Sequence, residues 1–375
     1  IMVNKSKIAI IIGTRAELIK TFPVMQELKK QKIPYYFIHT GQHNLQNLCE
    51  KFNVKKPDAV LTLEPEKTTK LWSKINQKSI GFALLNVFLI RKELKKLKNL
   101  KYVLYHGDTM TTSAAAIGSS KLLNPFKKYK NVHLEAGLRS EKYFEPFPEE
   151  ISRIIAGKFS DILFAVSKRS KNNLKKYVGK KNIIQLGNTV VDSIHLSFEM
   201  AKKNKTKRLN KEKFALVVVH RHENLKNKTR LSKIVEIISS LELPTYFAMH
   251  DSTEKQLKTF GLYDKLISNK RIKIIPNMEY TSFIYQIKNC SLILCDGGSL
   301  QEESLVFNVP CILFRKATER QEALETNFQF LSGLKVKESK KKIQEYLNPK
   351  FKPLPIKNPY GEVGLTKKVV EVLKK

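Results

Sequence analysis

The chain has 375 residues, 42% of them hydrophobic, and 69 lysines and arginines against 34 acidic residues give a formal net charge of +35. That length is too great for one ordinary core and enough for two, while no apolar run approaches the roughly 20 residues of a membrane span and Ile1-Met2-Val3-Asn4-Lys5 leads into no signal-peptide apolar region. The basic balance is carried by lysines on solvated helix faces such as Lys29-Lys30 and Lys95-Lys96-Leu97-Lys98, and the dense stretch Lys202 to Lys213 lacks interleaved aromatics, so a cytoplasmic protein with no membrane span and no specific nucleic-acid partner is expected.

In chain order, the first half alternates strands near 8–12, 34–38, 102–105, 131–134 and 162–166, and one more near 183–186, with helical patterns such as Glu17–Lys30 and Lys168–Tyr177. The pattern restarts at Phe214, with strands near 214–219, 244–248, 272–275, 291–295 and 311–314 and helices such as Arg230–Leu241, Tyr280–Ile287 and Leu300–Phe307. Repeated βαβ units predict an α/β protein of two Rossmann-like domains, each with a parallel sheet, facing across a cleft. The expected domains are 1–186, 187–356 and a tail, 357–375, whose amphipathic helix Leu365–Leu373 crosses back onto the first domain.

Five apolar runs end in ionisable clusters: Gly13-Thr14-Arg15, His106-Gly107-Asp108-Thr109, Glu135-Ala136-Gly137-Leu138-Arg139, His220-Arg221-His222-Glu223-Asn224 and Asp296-Gly297-Gly298-Ser299. Ligands of open parallel sheets sit beyond the carboxyl ends of strands, so this repetition describes one site. The strand, glycine pair and helix start at Asp296 to Glu303 place free backbone N–H groups where a phosphate rests, with Ser299 and Glu302 spaced as a capping box. Arginine is scarce, yet Arg15, Arg139, Arg221 and Arg320 all fall in such motifs, and Arg15, Lys20 and Arg320 together suit a diphosphate. Asp108, Glu135, Glu149 and His220 are the acid and base candidates, because clustered carboxylates and a histidine separate into acid and base roles.

Neither a Walker-type phosphate loop nor a G-x-G-x-x-G fingerprint is present, so neither nucleotide hydrolysis nor a tightly held NAD is indicated. Cys49, Cys290, Cys295 and Cys311 show no metal-ligand spacing, and His39, His133, His195 and His250 read as structural. No metal and no cofactor is expected.

Taken in order, Gly13-Thr14-Arg15-Ala16-Glu17-Leu18-Ile19-Lys20, the His106–Thr109 turn, the His133–Arg139 and Pro146–Arg153 segments, His220–Asn224, Gln301-Glu302-Glu303, Thr318-Glu319-Arg320 and Asn358-Pro359-Tyr360-Gly361 resemble the non-hydrolysing UDP-N-acetylglucosamine 2-epimerases. The resemblance implies a glycosyltransferase-B-like fold, a homodimer, and a UDP-sugar substrate. It also implies catalytic roles for Asp108, Glu135, Glu149 and His220, with Phe283, Ser299 and Glu303 contacting the nucleotide beside Arg15, Lys20, Gly297, Gly298 and Arg320. The hydrogen on carbon 2 of an acetamido sugar is not beside a carbonyl, so without NAD the reasonable route is elimination of UDP from carbon 1 to a bound 2-acetamidoglucal and re-addition with protonation on the other face. Such an enzyme serves cell-surface polysaccharide synthesis. A hydrolysing 2-epimerase, which Ala16 favours and Thr109 disfavours, an epimerase of a modified UDP-sugar such as a diacetamido uronate, a glycosyltransferase of the same fold and a noncatalytic basic binding protein are the competing readings.

Overall fold

The computed structural model describes residues 6–62, 80–141, 148–352 and 357–375; the opening pentapeptide, Pro146-Phe147 and part of the proline-spaced tail lie outside the described residues. The chain divides into two compact units, one of residues 1–193 with 360–375 and one of residues 194–359.

The first unit is built on a seven-stranded sheet: β1 (Ile8–Ile12), β2 (Tyr35–His39), β3 (Ala59–Val60), β4 (Tyr102–His106), β5 (Lys130–Ala136), β6 (Ile162–Ala165) and β7 (Asn182–Gln185), in the order β3-β2-β1-β4-β5-β6-β7. Every pairing is parallel. Central strands of such sheets are covered on both faces, which is why β1 reads Ile-Ala-Ile-Ile-Ile without alternation and why all five of its residues are buried. The second unit repeats the plan with β8 (Ala215–Val218), β9 (Thr245–Ala248), β10 (Ile272–Ile275), β11 (Leu292–Cys295), β12 (Cys311–Leu313) and β13 (Gln329–Leu331), ordered β10-β9-β8-β11-β12-β13, again all parallel.

In each sheet the order reverses direction once, between β1 and β4 and between β8 and β11. Loops leaving those neighbouring strands diverge to opposite faces and open a crevice at their carboxyl ends. The clusters at Gly13, Gly107, His220 and Asp296 therefore stand at the two switch points.

Two short edge strands, β3 and β13, carry too few residues for a periodic signal and were not expected. The helix expected over Lys168–Tyr177 ends at Asn173, and a 3-10 turn covers Lys175–Tyr177 after the buried Leu174. The C-terminal helix Leu365–Lys374 buries Leu365, Val369, Val370 and Leu373 and packs against the helix Arg15–Lys30. Its first turn is capped from outside: Asp192 accepts the backbone N–H of Gly364 at 2.6 Å and of Thr366 at 2.7 Å. Among the described residues no helix is long and apolar enough to cross a membrane, and no group of three His, Cys, Asp or Glu is arranged to hold a metal.

Candidate active site

At the end of β1 the chain turns at Gly13, where a Cβ would stand 2.0 Å from the Thr111 hydroxyl and 2.3 Å from that of Thr40. Only glycine fits there. Thr14 then caps the helix Arg15–Lys30, and Glu17 completes a capping box. Glu17 does more than cap. One carboxylate oxygen accepts the N–H groups of Gly13 and Thr14, both at 2.8 Å, and the other accepts the hydroxyls of Thr109 at 2.5 Å and Thr112 at 3.2 Å, which belong to the loop and helix after β4. Burial pushes its carboxyl above the usual range, while bonds from Thr109, Gly13 and Thr14 pull it down. Glu17 thus ties together the two loops at the first switch point, a role no local sequence signal disclosed.

Glu135, the penultimate residue of β5, has a backbone φ of +64°, a left-handed conformation that a non-glycine residue adopts at a cost of order 1–3 kcal/mol. The register between β5 and β6 is irregular between His133 and Ala136, so the strand kinks there and re-aims its last side chains. The Glu135 carboxylate is nearly fully buried and meets Lys20 Nζ at 2.5 Å, the Asn188 side-chain amide at 2.9 Å and His106 Nδ1 at 3.9 Å. Lys20, expected to face the diphosphate, is here the counter-ion of Glu135.

Asp108 follows β4, and Arg153 holds it through two nitrogens on one carboxylate oxygen, Nε at 3.0 Å and a terminal nitrogen at 2.6 Å. The other terminal nitrogen of Arg153 reaches Glu150 at 2.8 Å, and Glu150 also accepts the backbone N–H and hydroxyl of Ser140. Glu149 opens the same helix, Glu149–Phe159, and stands four residues before Arg153, a spacing that places both on one helix face. His133 lies under this loop: its Nε2 is 2.8 Å from the Gly107 carbonyl, and burial drives its pKa down to about 4, so the ring is neutral and donates that bond.

In the second unit His220 and Asp296 follow the adjacent strands β8 and β11. Asp296 is fully buried and accepts the backbone N–H groups of His220 and Arg221, both near 3 Å, and the Asn224 amide at 3.0 Å. The His220 Nδ1 is 3.7 Å from Asp296, while its side chain remains 47% exposed. Desolvation lowers the imidazole pKa below its ordinary value, against the opposing pull of Asp296. Asp296 is a fixed anchor for this turn, missed because aspartate before Gly-Gly reads as part of the turn itself.

The helix Ser299–Val306 differs from expectation. Gly298, at φ −71° and ψ −38°, occupies the cap position and Ser299 is already helical, so the Ser299–Glu302 capping box is absent. Glu302 instead pairs with Arg320 at 2.9 Å, and Arg320 also bonds Glu319, itself paired with Arg315 at 3.0 Å. A buried guanidinium is a stronger partner for a buried carboxylate than a backbone amide. A Cβ on Gly298 would fall 2.5 Å from Glu319 and 2.8 Å from Arg320, while one on Gly297 would touch His220 at 3.4 Å. Phe283 is half-buried on the helix Tyr280–Asn289, and burial together with the nearby Glu303 charge of the Ser299–Val306 helix raises the phenol pKa of Tyr280 on the same helix. Arg15 is exposed at the start of its helix, its Nε on the Asn44 carbonyl at 3.3 Å.

The family model described as UDP-N-acetylglucosamine 2-epimerase matches residues 26–374. The UDP-N-acetylglucosamine 2-epimerase of Methanocaldococcus jannaschii is 36% identical over 380 residues, covering 98% of each chain, and that of Methanococcus maripaludis is 39% identical over 342 residues, 87% of this chain and 88% of the relative. Among solved structures, that of the M. jannaschii enzyme in complex with UDP-GlcNAc and UDP superposes with a TM-score of 0.80 at 34% identity, over 98% of this chain and 99% of that one. Paired parallel sheets with charged switch points thus belong here to a glycosyltransferase-B-like isomerase. The chain belongs to the UDP-N-acetylglucosamine 2-epimerase family.

Proposed function

We propose that the chain interconverts UDP-N-acetylglucosamine and UDP-N-acetylmannosamine without net hydrolysis, the residues of the first unit acting on the sugar and those of the second on the nucleotide. The observation that carries this reading is the pair of strand-end carboxylates, Asp108 and Glu135, each fixed by its own cation, Arg153 and Lys20. A base takes the proton from carbon 2 as the bond from carbon 1 to the diphosphate breaks, leaving a carbon 1–carbon 2 double bond. The diphosphate oxygen then re-adds to carbon 1 while an acid delivers a proton to the opposite face of carbon 2. Positive charge developing on the ring is countered by carboxylates, and the departing diphosphate by the amides at Gly297-Gly298 and by Arg15. Arg320 supports the turn from beneath, its charge shared between Glu302 and Glu319. Glu149 and His220 complete the acid and base set, and Phe283, Ser299 and Glu303 contact the nucleotide.

Clamped carboxylates matter because a group held in its reactive geometry needs no reorganisation at the moment of proton transfer. Asp108→Asn, Glu135→Gln and His220→Asn are each expected to lower turnover of UDP-N-acetylglucosamine by roughly 100-fold or more with circular dichroism unchanged. Near-normal turnover in all three would remove the site as drawn.

A further inference from the structure

The segment Gly187-Asn188-Thr189, which follows β7 and precedes the helix Val190–Lys203, touches both members of the Lys20–Glu135 pair at once. The Asn188 amide donates to Glu135 Oε1 at 2.9 Å, the oxygen that also receives Lys20 Nζ at 2.5 Å. The next residue, Thr189, donates its hydroxyl to the backbone carbonyl of Lys20 at 2.9 Å. Asn188 is itself held by two further hydrogen bonds and by burial. Its side-chain oxygen accepts the Val190 N–H at 3.2 Å, its own N–H donates to the Tyr360 carbonyl at 2.8 Å, and it is 1% exposed. Gly187, at φ +107°, has no room for a Cβ, which would meet the Tyr360 carbonyl at 2.6 Å and Leu365 at 2.8 Å.

The geometry points to Asn188 and Thr189 as positioning residues that lock the Glu135 carboxylate and the Lys20 ammonium into one arrangement, with the returning chain at Tyr360 as their support. This rests on the catalytic role proposed for Glu135. Without Asn188, Oε1 loses a rigid donor and keeps a lysine on a flexible stem, and a carboxylate near the end of a kinked strand swings about its own side-chain torsions. The Asn188 amide is short and rigid, and its fixed direction selects one rotamer of Glu135. Thr189 acts on the other partner by fixing the helical turn that carries Lys20. Because the same peptide is bonded to Tyr360, the first residue after the chain re-enters this unit, the C-terminal segment is built into the geometry of Glu135 as well as into the fold.

Kinetics of Asn188→Ala, alone and in a Glu135→Gln background, test the assignment. Alone, it is expected to lower kcat by roughly 10-fold with KM within about 2-fold, as misplacement of a catalytic group does. In the Glu135→Gln background it is expected to change the residual rate by less than about 2-fold, because its effect passes through Glu135. Thr189→Val, which keeps the side-chain shape, is expected to lower kcat by roughly 3-fold or more with KM unmoved and stands as the test by itself where Asn188→Ala does not fold. Wild-type kcat in the folded variants, or an equal loss with and without the Glu135 carboxylate, would overturn the positioning role. Wild-type turnover in Glu135→Gln alone would instead overturn the function on which it rests.

Discussion

Glu135 and His133 sit two residues apart on β5 with opposite duties. Glu135 stands in a left-handed backbone conformation and holds an ammonium group. Such strain survives only where surrounding contacts over-determine it, and it accumulates at sites that do chemistry. His133 is neutral, buried and devoted to the Gly107 carbonyl. Its pKa of about 4 lies below the ordinary histidine value of 6.5. Between those values the unfolded chain binds a proton that the folded chain refuses, so stability rises with pH across that window, is complete above 6.5 and is lost progressively below it. His133→Gln, which keeps a donor for Gly107, is expected to reduce the stability difference between pH 7 and pH 5 by an amount on the order of 1–2 kcal/mol, read by urea unfolding at the two pH values. An unchanged difference would mean that His133 is protonated in the folded protein.

The strand-to-helix turns show how much an element's sequence discloses. Gly13-Thr14 and Gly297-Gly298 both follow buried strands, and both precede an S/T-x-x-E spacing. The spacing forms a capping box at Thr14–Glu17 and fails at Ser299–Glu302, because Arg320, distant in sequence, claims the second glutamate. Gly298→Ala drives a methyl into the Glu319–Arg320 pair, both buried, and overpacking of this kind typically costs 1–3 kcal/mol. Distortion of this turn is expected to weaken UDP binding by roughly 10-fold, about 1.4 kcal/mol by calorimetry, with the secondary structure intact. Unchanged affinity would place the diphosphate elsewhere. Strand ends were legible because β-branched apolar runs stop abruptly at Gly13, Asp108, Glu135 and His220. Their supports were not, since Arg153 lies 45 residues from Asp108 and Asn188 lies 53 from Glu135, and no local pattern connects such pairs. The edge strands β3 and β13 escaped for a different reason, being only two and three residues long.

For the whole molecule, two sheets of the same strand order make the chain's chemistry a matter of loops at equivalent places, so the repetition of apolar run and charged cluster foretold the architecture well. The charge of +35 did not, since surface lysine is compatible with many functions. What distinguishes an epimerase from a hydrolase on this fold is the fate of the double bond and of the released nucleotide. Proton NMR of UDP-N-acetylglucosamine turned over by the protein in deuterated water follows both at once. Epimerisation through the double bond is expected to give UDP-N-acetylmannosamine carrying deuterium at carbon 2, with free UDP and free sugar remaining minor; retention of the original hydrogen, or free sugar and UDP as the dominant products, would contradict that route.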